Sequence, residues 1–110
     1  MSFFHSDVVR AEMAEISELQ EEVYSNVFKF ATMSKEDQQY HVEILERLLE
    51  KQRIMYTRLS LSDDPEAQKL KENISESAAD MGVPKDMDMN VVFNNMSKAV
   101  SFMRQHIDKE

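Results

Sequence analysis

Leu59-Ser60-Leu61-Ser62-Asp63-Asp64-Pro65-Glu66-Ala67 is the stretch on which the fold turns. Asp64 is placed to cap exposed backbone amides, and Pro65 fits the first position of a helix, where its missing N–H costs nothing. One helix therefore ends before this run and another begins inside it. Backwards from it, Leu45, Leu48, Gln52, Met55 and Leu59, flanked by Ile44, Leu49 and Tyr56, recur in steps of three and four. That is the period of a helix with one apolar face. Its start is expected at Ser34, because Ser34 followed by Asp37 imitates a capping box with Asp in place of Glu.

Further upstream, Val9, Met13, Ile16, Val23, Val27 and Phe30 alternate in the same way, with Gln20 in the one missed place and Val8 and Leu19 widening the stripe. They predict a first helix from Ser6 to about Ala31, interrupted by Thr32, Met33 and Ser34. Two helices of about 25 residues joined so briefly form an antiparallel hairpin. Phe3 and Phe4 are expected to fold back onto it. Downstream of Pro65, a narrow stripe of Ala67, Leu70, Ile74, Ala78 and Met81 predicts a third helix, closed by Gly82 in a left-handed cap and kept closed by Pro84. Met89, Phe93, Met96, Val100, Met103 and Ile107 predict a fourth, with Val92, Ala99 and Phe102 beside them. This last face is broader than one neighbour needs. The expected architecture is all-α: one domain over residues 1–110, an antiparallel hairpin with two shorter helices, four-helix-bundle-like, with dimerisation as one way to complete it.

Composition removes many function classes. In 110 residues there is one glycine, too few for a phosphate-binding loop, a dinucleotide fingerprint or a nucleophile elbow. The absence of cysteine removes disulfides, thiolate zinc sites and cysteine nucleophiles. No run of 18 apolar residues and no basic-then-apolar amino terminus occurs, so no membrane span or signal peptide is indicated and a cytosolic setting is expected.

The constellations that could carry chemistry are thin. Asp86, Asp88 and Asn90 repeat the first three ligand positions of a calcium loop, but Val91 and Ser97 stand where that loop needs glycine and a closing glutamate. The plainer reading is helix capping. A carboxylate di-iron bundle needs Glu-x-x-His pairs, and the chain contains none. Asp37 and His41, four apart, share a helix face, yet two ligands do not make a site, and His41 is expected to be a surface histidine. His5, Ser6 and Asp7 have the residue types of a hydrolase triad but adjacent positions that point apart. No catalytic residue, metal or cofactor is assigned.

Charge is more informative by region than in total. The formal charge is −8, with six acids and two bases over residues 1–33, five of each over 34–62, six acids and two bases over 63–83, and four of each over 84–110. Such a chain repels phosphate over most of its surface, so nucleic acid is not an expected partner. Within the second helix Lys51, Arg53 and Arg58 surround Tyr56 without intervening acids, a cluster able to hold an acidic group. Helical spacing of Glu43 with Arg47 and of Glu50 with Arg53 offers the alternative of ordinary surface pairing. Methionine concentrates at 81, 87, 89, 96 and 103. Such a face is either core or an adaptable binding surface.

Phe3, Phe4, Ser6, Val9 and Glu12, then Glu43, Leu48, Glu50, Arg53, Ile54, Arg58, Leu61, Ser62, Asp64 and Ala67, then Gly82, Phe93, Met96 and Met103 together resemble a small uncharacterised helical family of cyanobacteria, also carried by their phages. The resemblance spans nearly the whole chain and is strongest from the arginines of the second helix to Leu61 and Ser62. A shortened linker near Phe30, the two prolines and an Asp86–Asn90 segment that looks inserted suit a divergent phage copy. The resemblance implies a cytosolic protein of such a cell and no activity. The expectation is a non-enzymatic, self-associating interaction module that binds a host or phage protein, with Arg53, Tyr56 and Arg58 as polar anchor and Phe93, Phe102 and Met103 as apolar contact. The alternative is a structural or assembly component of a phage particle.

Overall fold

A computed structural model describes residues 3–84 and 87–109. Among these residues it is all-helical and bundle-like: α1 spans Asp7–Asn26, α2 Lys35–Leu61, α3 Pro65–Asp80 and α4 Met89–Asp108, with 3-10 turns at Phe3–His5 and Val27–Thr32. Each helix opens on a side-chain cap. Ser6 accepts from the Val9 amide and Ser34 from the Asp37 amide, Asp64 from the Glu66 amide and Asp88 from the Asn90 amide. In each case one otherwise orphaned N–H finds an acceptor.

The first two helices form the expected antiparallel hairpin, but with unequal arms of 20 and 27 residues. α1 stops being an α-helix at Asn26, earlier than its apolar period suggests. There Asn26 Nδ2 donates to the Glu22 carbonyl at 2.9 Å, and Ser25 Oγ to the Glu21 carbonyl at 2.7 Å. These side chains compete with the next backbone amides for the same acceptors. The tighter 3-10 winding that follows leaves Phe30 half-buried and turns Val27 outward. Met13, also counted in the stripe, sits at its exposed edge.

α2 is the hub. One of its faces carries Ile44 and Leu48 against Leu19 and Val23 of α1. A second carries Val42 and Leu49 against Val100 and Ile107 of α4, with Phe30, Leu45 and Met103 around them. Near its end Met55 and Leu59 meet Val9, Ala67 and the partly buried Phe3, Phe4, Leu70 and Ile74. Phe3 and Phe4 thus fold back as expected, their rings packed edge to face. Val42, Leu49 and Tyr56 on α2 and Phe93, Val100 and Ile107 on α4 share a seven-residue step, which sets the two helices side by side in one antiparallel register.

Turns between the helices are closed by their own side chains. Asp64 caps α3 with Oδ1 at 2.9 Å from the Glu66 amide, while its Oδ2 accepts from the Phe3 amide. The Gln68 side-chain amide donates to the carbonyls of Leu59 and Ser62, which the end of α2 leaves free. After α3, Gly82 takes φ +100°, and the Val83 and Gly82 amides return to the carbonyls of Ala78 and Ala79. That pair of bonds is a Schellman motif. Met81, placed in the stripe of the third helix by spacing, is its capping residue and lies 87% exposed.

The molecule is elongated, 49 × 32 × 19 Å, with a radius of gyration of 15.6 Å. A compact chain of this length would have about 13 Å. α1 and α4 flank α2 rather than closing over it.

Candidate functional site

The basic cluster of α2 is engaged within the chain. Lys51 pairs with Glu15 of α1, Arg58 reaches Glu12 of α1 at 3.4 Å, and Arg53 holds Glu50 one turn back at 2.7 Å. Forward along α1, from Glu12 to Glu15, the partners run backward along α2, from Arg58 to Lys51, so two of these pairs clamp the hairpin. The spacing of Glu50 with Arg53 anticipates the third. Glu43 with Arg47, expected on the same grounds, is not among the described ion pairs. Instead Arg104 of α4 binds Glu46 at 2.7 Å, and Gln39 donates to Asp108 at 3.1 Å, both across α2 and α4.

The six residues proposed for partner contact separate into two groups. Tyr56 and Phe93 meet each other, with ring centroids 5.9 Å apart at 58°, and Phe93 is only 7% exposed. This pair fastens α4 to α2. Phe102 lies 73% exposed on the far side of α4, and Met103 is half-buried at the margin of the core. Met96, expected in the buried stripe, is 43% exposed. With Val92, Ala99 and Met103 it forms a row in steps of four, three and four that adjoins Phe102 and carries no charge. The full methionine face is therefore neither all core nor all surface: Met89 is buried while Met96 is open.

Asp88 serves as the cap of α4, in line with the capping reading of the Asp86–Asn90 segment; Asp86 lies outside the described residues. Among the described residues no three His, Cys, Asp or Glu side chains are gathered closely enough to hold a metal ion. No helix among them is long and apolar enough to cross a membrane.

His41 is not a surface residue. It is 5% exposed, its ring lies 5.4 Å from that of Phe30, and the helix start that should have left it in water is covered by the 3-10 segment. The covering segment is itself tied down, since Gln38 Nε2 donates to the Phe30 carbonyl at 2.9 Å. His41 opens onto a cleft of about 290 Å³ at the turn end of the hairpin, shared with Glu22, Asn26, Met33, Asp37, Tyr40 and Ile44. Burial holds the imidazole below its ordinary value of 6.5, and the nearby Glu22 carboxylate opposes this. The Tyr40 hydroxyl donates to Glu22, and bond and charge together raise the phenol above its usual 10.0. Asn26 donates one of its two side-chain N–H groups to the Glu22 carbonyl and keeps the other, with its oxygen, for its surroundings. Around the cleft hydrogen-bond acceptors outnumber donors.

Sequence reasoning passed over this cleft because it joins α1 to the first turns of α2 through a segment taken as continuous helix. It also passed over Phe28, which is 96% exposed, next to the exposed Tyr24 and Val27. The cross-helix clamps were within reach: Glu12 and Glu15 lie three apart and Lys51 and Arg58 seven apart, complementary charges on faces already assigned to the hairpin.

One family model, described as a domain of unknown function (DUF1825), matches residues 1–107. No curated protein matches the chain, and no solved structure does.

Proposed function

From the premise that the chain belongs to the DUF1825 family, whose function is unknown, we propose a non-enzymatic protein-interaction module that works through the uncovered face of α4. The supporting observation is Phe102, 73% exposed beside Met96, Ala99 and Val92 on a helix whose opposite face is fully spent on α2. An aromatic and two methionines on a rigid helix make an anchor of the kind that dominates interface energetics. In this proposal the first occupant is a second copy, which completes the bundle that the elongated monomer leaves open. Met103 extends the contact, while Tyr56 and Phe93 hold α4 in place beneath it. Arg53 and Arg58 supply the polar anchor; each would exchange its own glutamate, Glu50 or Glu12, for a partner carboxylate at small cost, because an exposed ion pair contributes about 0–1 kcal/mol. A cytosolic setting in a cyanobacterial or phage-infected cell belongs to the same proposal.

Light scattering tests it. The wild type is expected at twice the monomer mass at micromolar concentration, and Phe102→Glu at the monomer mass with unchanged helical content. A wild type that stays monomeric at 100 μM removes the self-association. Growth into large assemblies instead of a dimer would favour a structural component of a particle. Capture from lysate with wild type and with Arg53→Glu, Arg58→Glu addresses the polar anchor: equal recovery of the same partner removes it.

A further inference from the structure

We infer that the cleft at the turn end of the hairpin binds a guanidinium group, held between the carboxylates of Glu22 and Asp37 with the His41 ring and the Asn26 side-chain oxygen as further acceptors. Two independent features point to a ligand. The first is the lining, in which the carboxylates, the Asn26 amide oxygen and one nitrogen of the neutral imidazole are acceptors, while Met33 and Ile44 supply an apolar wall. The second is His41 itself. It is more than nine-tenths buried, no hydrogen bond to its ring forms among the described residues, its nitrogens are not sealed off, and the residue lines the cleft. A largely buried ring whose nitrogens stay accessible and uncommitted within the chain can take a partner from the cleft.

Geometry selects the ligand. A metal ion needs its donors converging on one point, and no three described side chains do so. Donors spread around a cleft suit a cation whose N–H groups are spread as well. Guanidinium is planar, with N–H donors distributed around its rim, faces that stack on aromatic and apolar groups, and weak hydration that eases its removal from water. An ammonium concentrates its donors at a single nitrogen and is more strongly hydrated. At about 290 Å³ the space is small, suited to the group and a short tail. The group can arrive on a free small molecule or as an arginine side chain of a polypeptide. The site shares no residue with the outer face of α4, so either proposal can fail alone.

The test is an NMR titration of the full chain, following the ring signals of His41 and Tyr40 at fixed ionic strength. Methylguanidinium chloride is the probe and tetramethylammonium chloride, equal in charge but without N–H donors, the control. Up to 20 mM of either is far below denaturing concentration, which for guanidinium lies in the molar range. Saturating shifts are expected with methylguanidinium and none with tetramethylammonium. Asp37→Asn, at an exposed carboxylate, should weaken binding at least about tenfold, the loss expected of a charge-assisted hydrogen bond. Glu22→Gln should do the same and serves where the other variant is poorly folded. Tighter binding of acetyl-arginine methylamide than of free arginine assigns the group to a polypeptide, and the reverse order to a small molecule. Absence of saturation, an equal response to tetramethylammonium, or wild-type affinity in both variants overturns the inference.

Discussion

Phe93→Ala and Phe102→Ala remove the same side chain from the same helix, and the structure assigns them very different costs. Phe93 is 7% exposed with its ring 5.9 Å from Tyr56, whereas Phe102 is 73% exposed. Truncating a buried phenylalanine costs about 3–5 kcal/mol, and the aromatic pair accounts for roughly 0.5–1.5 kcal/mol of that. Truncating a side chain exposed in the monomer stays within about 0.5 kcal/mol, so both variants are compared at a concentration where light scattering finds the monomer. For a chain of this length, unfolding entropy near the midpoint is about 0.23 kcal/mol/K, so the first variant should lose roughly 13–22 °C in Tm and the second no more than about 2 °C. Urea unfolding followed by circular dichroism reads the same difference as a shift of midpoint at constant slope. If so large a loss leaves Phe93→Ala unfolded in buffer, Phe93→Leu gives a gentler version, at about 1.5 kcal/mol or less. A double-mutant cycle with Tyr56→Leu should return the pair term alone. In the monomer, comparable costs for the two alanine variants, or a larger one at Phe102, would mean that α4 is rotated about its axis, and the proposed contact face would fall with it.

Three further outcomes are expected. Asp64→Ala removes the cap of α3 and the acceptor of the Phe3 amide together and should cost about 1–3 kcal/mol by urea unfolding, with Asp64→Asn losing less; equal stability of all three forms would show that neither bond matters. Gly82→Ala should cost about 1 kcal/mol from backbone conformation alone, since an added Cβ meets no atom within 4 Å, and Gly82→Asn should recover part of it; a stabilised alanine variant would contradict the left-handed cap. Stability should fall as pH drops below 6.5. Burial keeps His41 below that value when folded, so the unfolded chain takes up the proton first, at a slope of at most about 1.4 kcal/mol per pH unit for this one group. Glu22, Asp37 and Tyr40 share its cleft, so the comparison is with His41→Asn, whose pH dependence between 7 and 5 should be flatter; an identical slope would remove His41 as its source.

The helices were legible because their punctuation is chemical. Ser34, Asp64 with Pro65, and Gly82 each do in the structure what their residue type prescribes. The end of α1 was not legible. The apolar period runs through Val27 to Phe30, and the side chains of Ser25 and Asn26, which take the carbonyls of the last α-turn, leave no trace in that period. From this one misjudged boundary follow the hidden cleft, the burial of His41 and the exposure of Phe28. Periodicity could also show that the face of α4 was too wide without showing which part stays open. That depends on which flank of α2 it packs against, a tertiary fact. It buries Phe93 and leaves Phe102, half a helical turn round the axis from it, outside.

Because α1 and α4 each rest on α2 without a comparable contact between them, they meet it along separate seams rather than in one continuous interior. Opening one does not require opening the other. α4 can come away while the clamps from Glu12 to Arg58 and Glu15 to Lys51 still hold the hairpin shut. Its amides should then exchange with solvent at a lower free energy than those of α2, which both seams protect. A helix held along one seam only is thus the one that carries the exposed aromatic. A partner seated on that face would add a second support to a helix that has one, and slowed exchange confined to α4 would register its arrival.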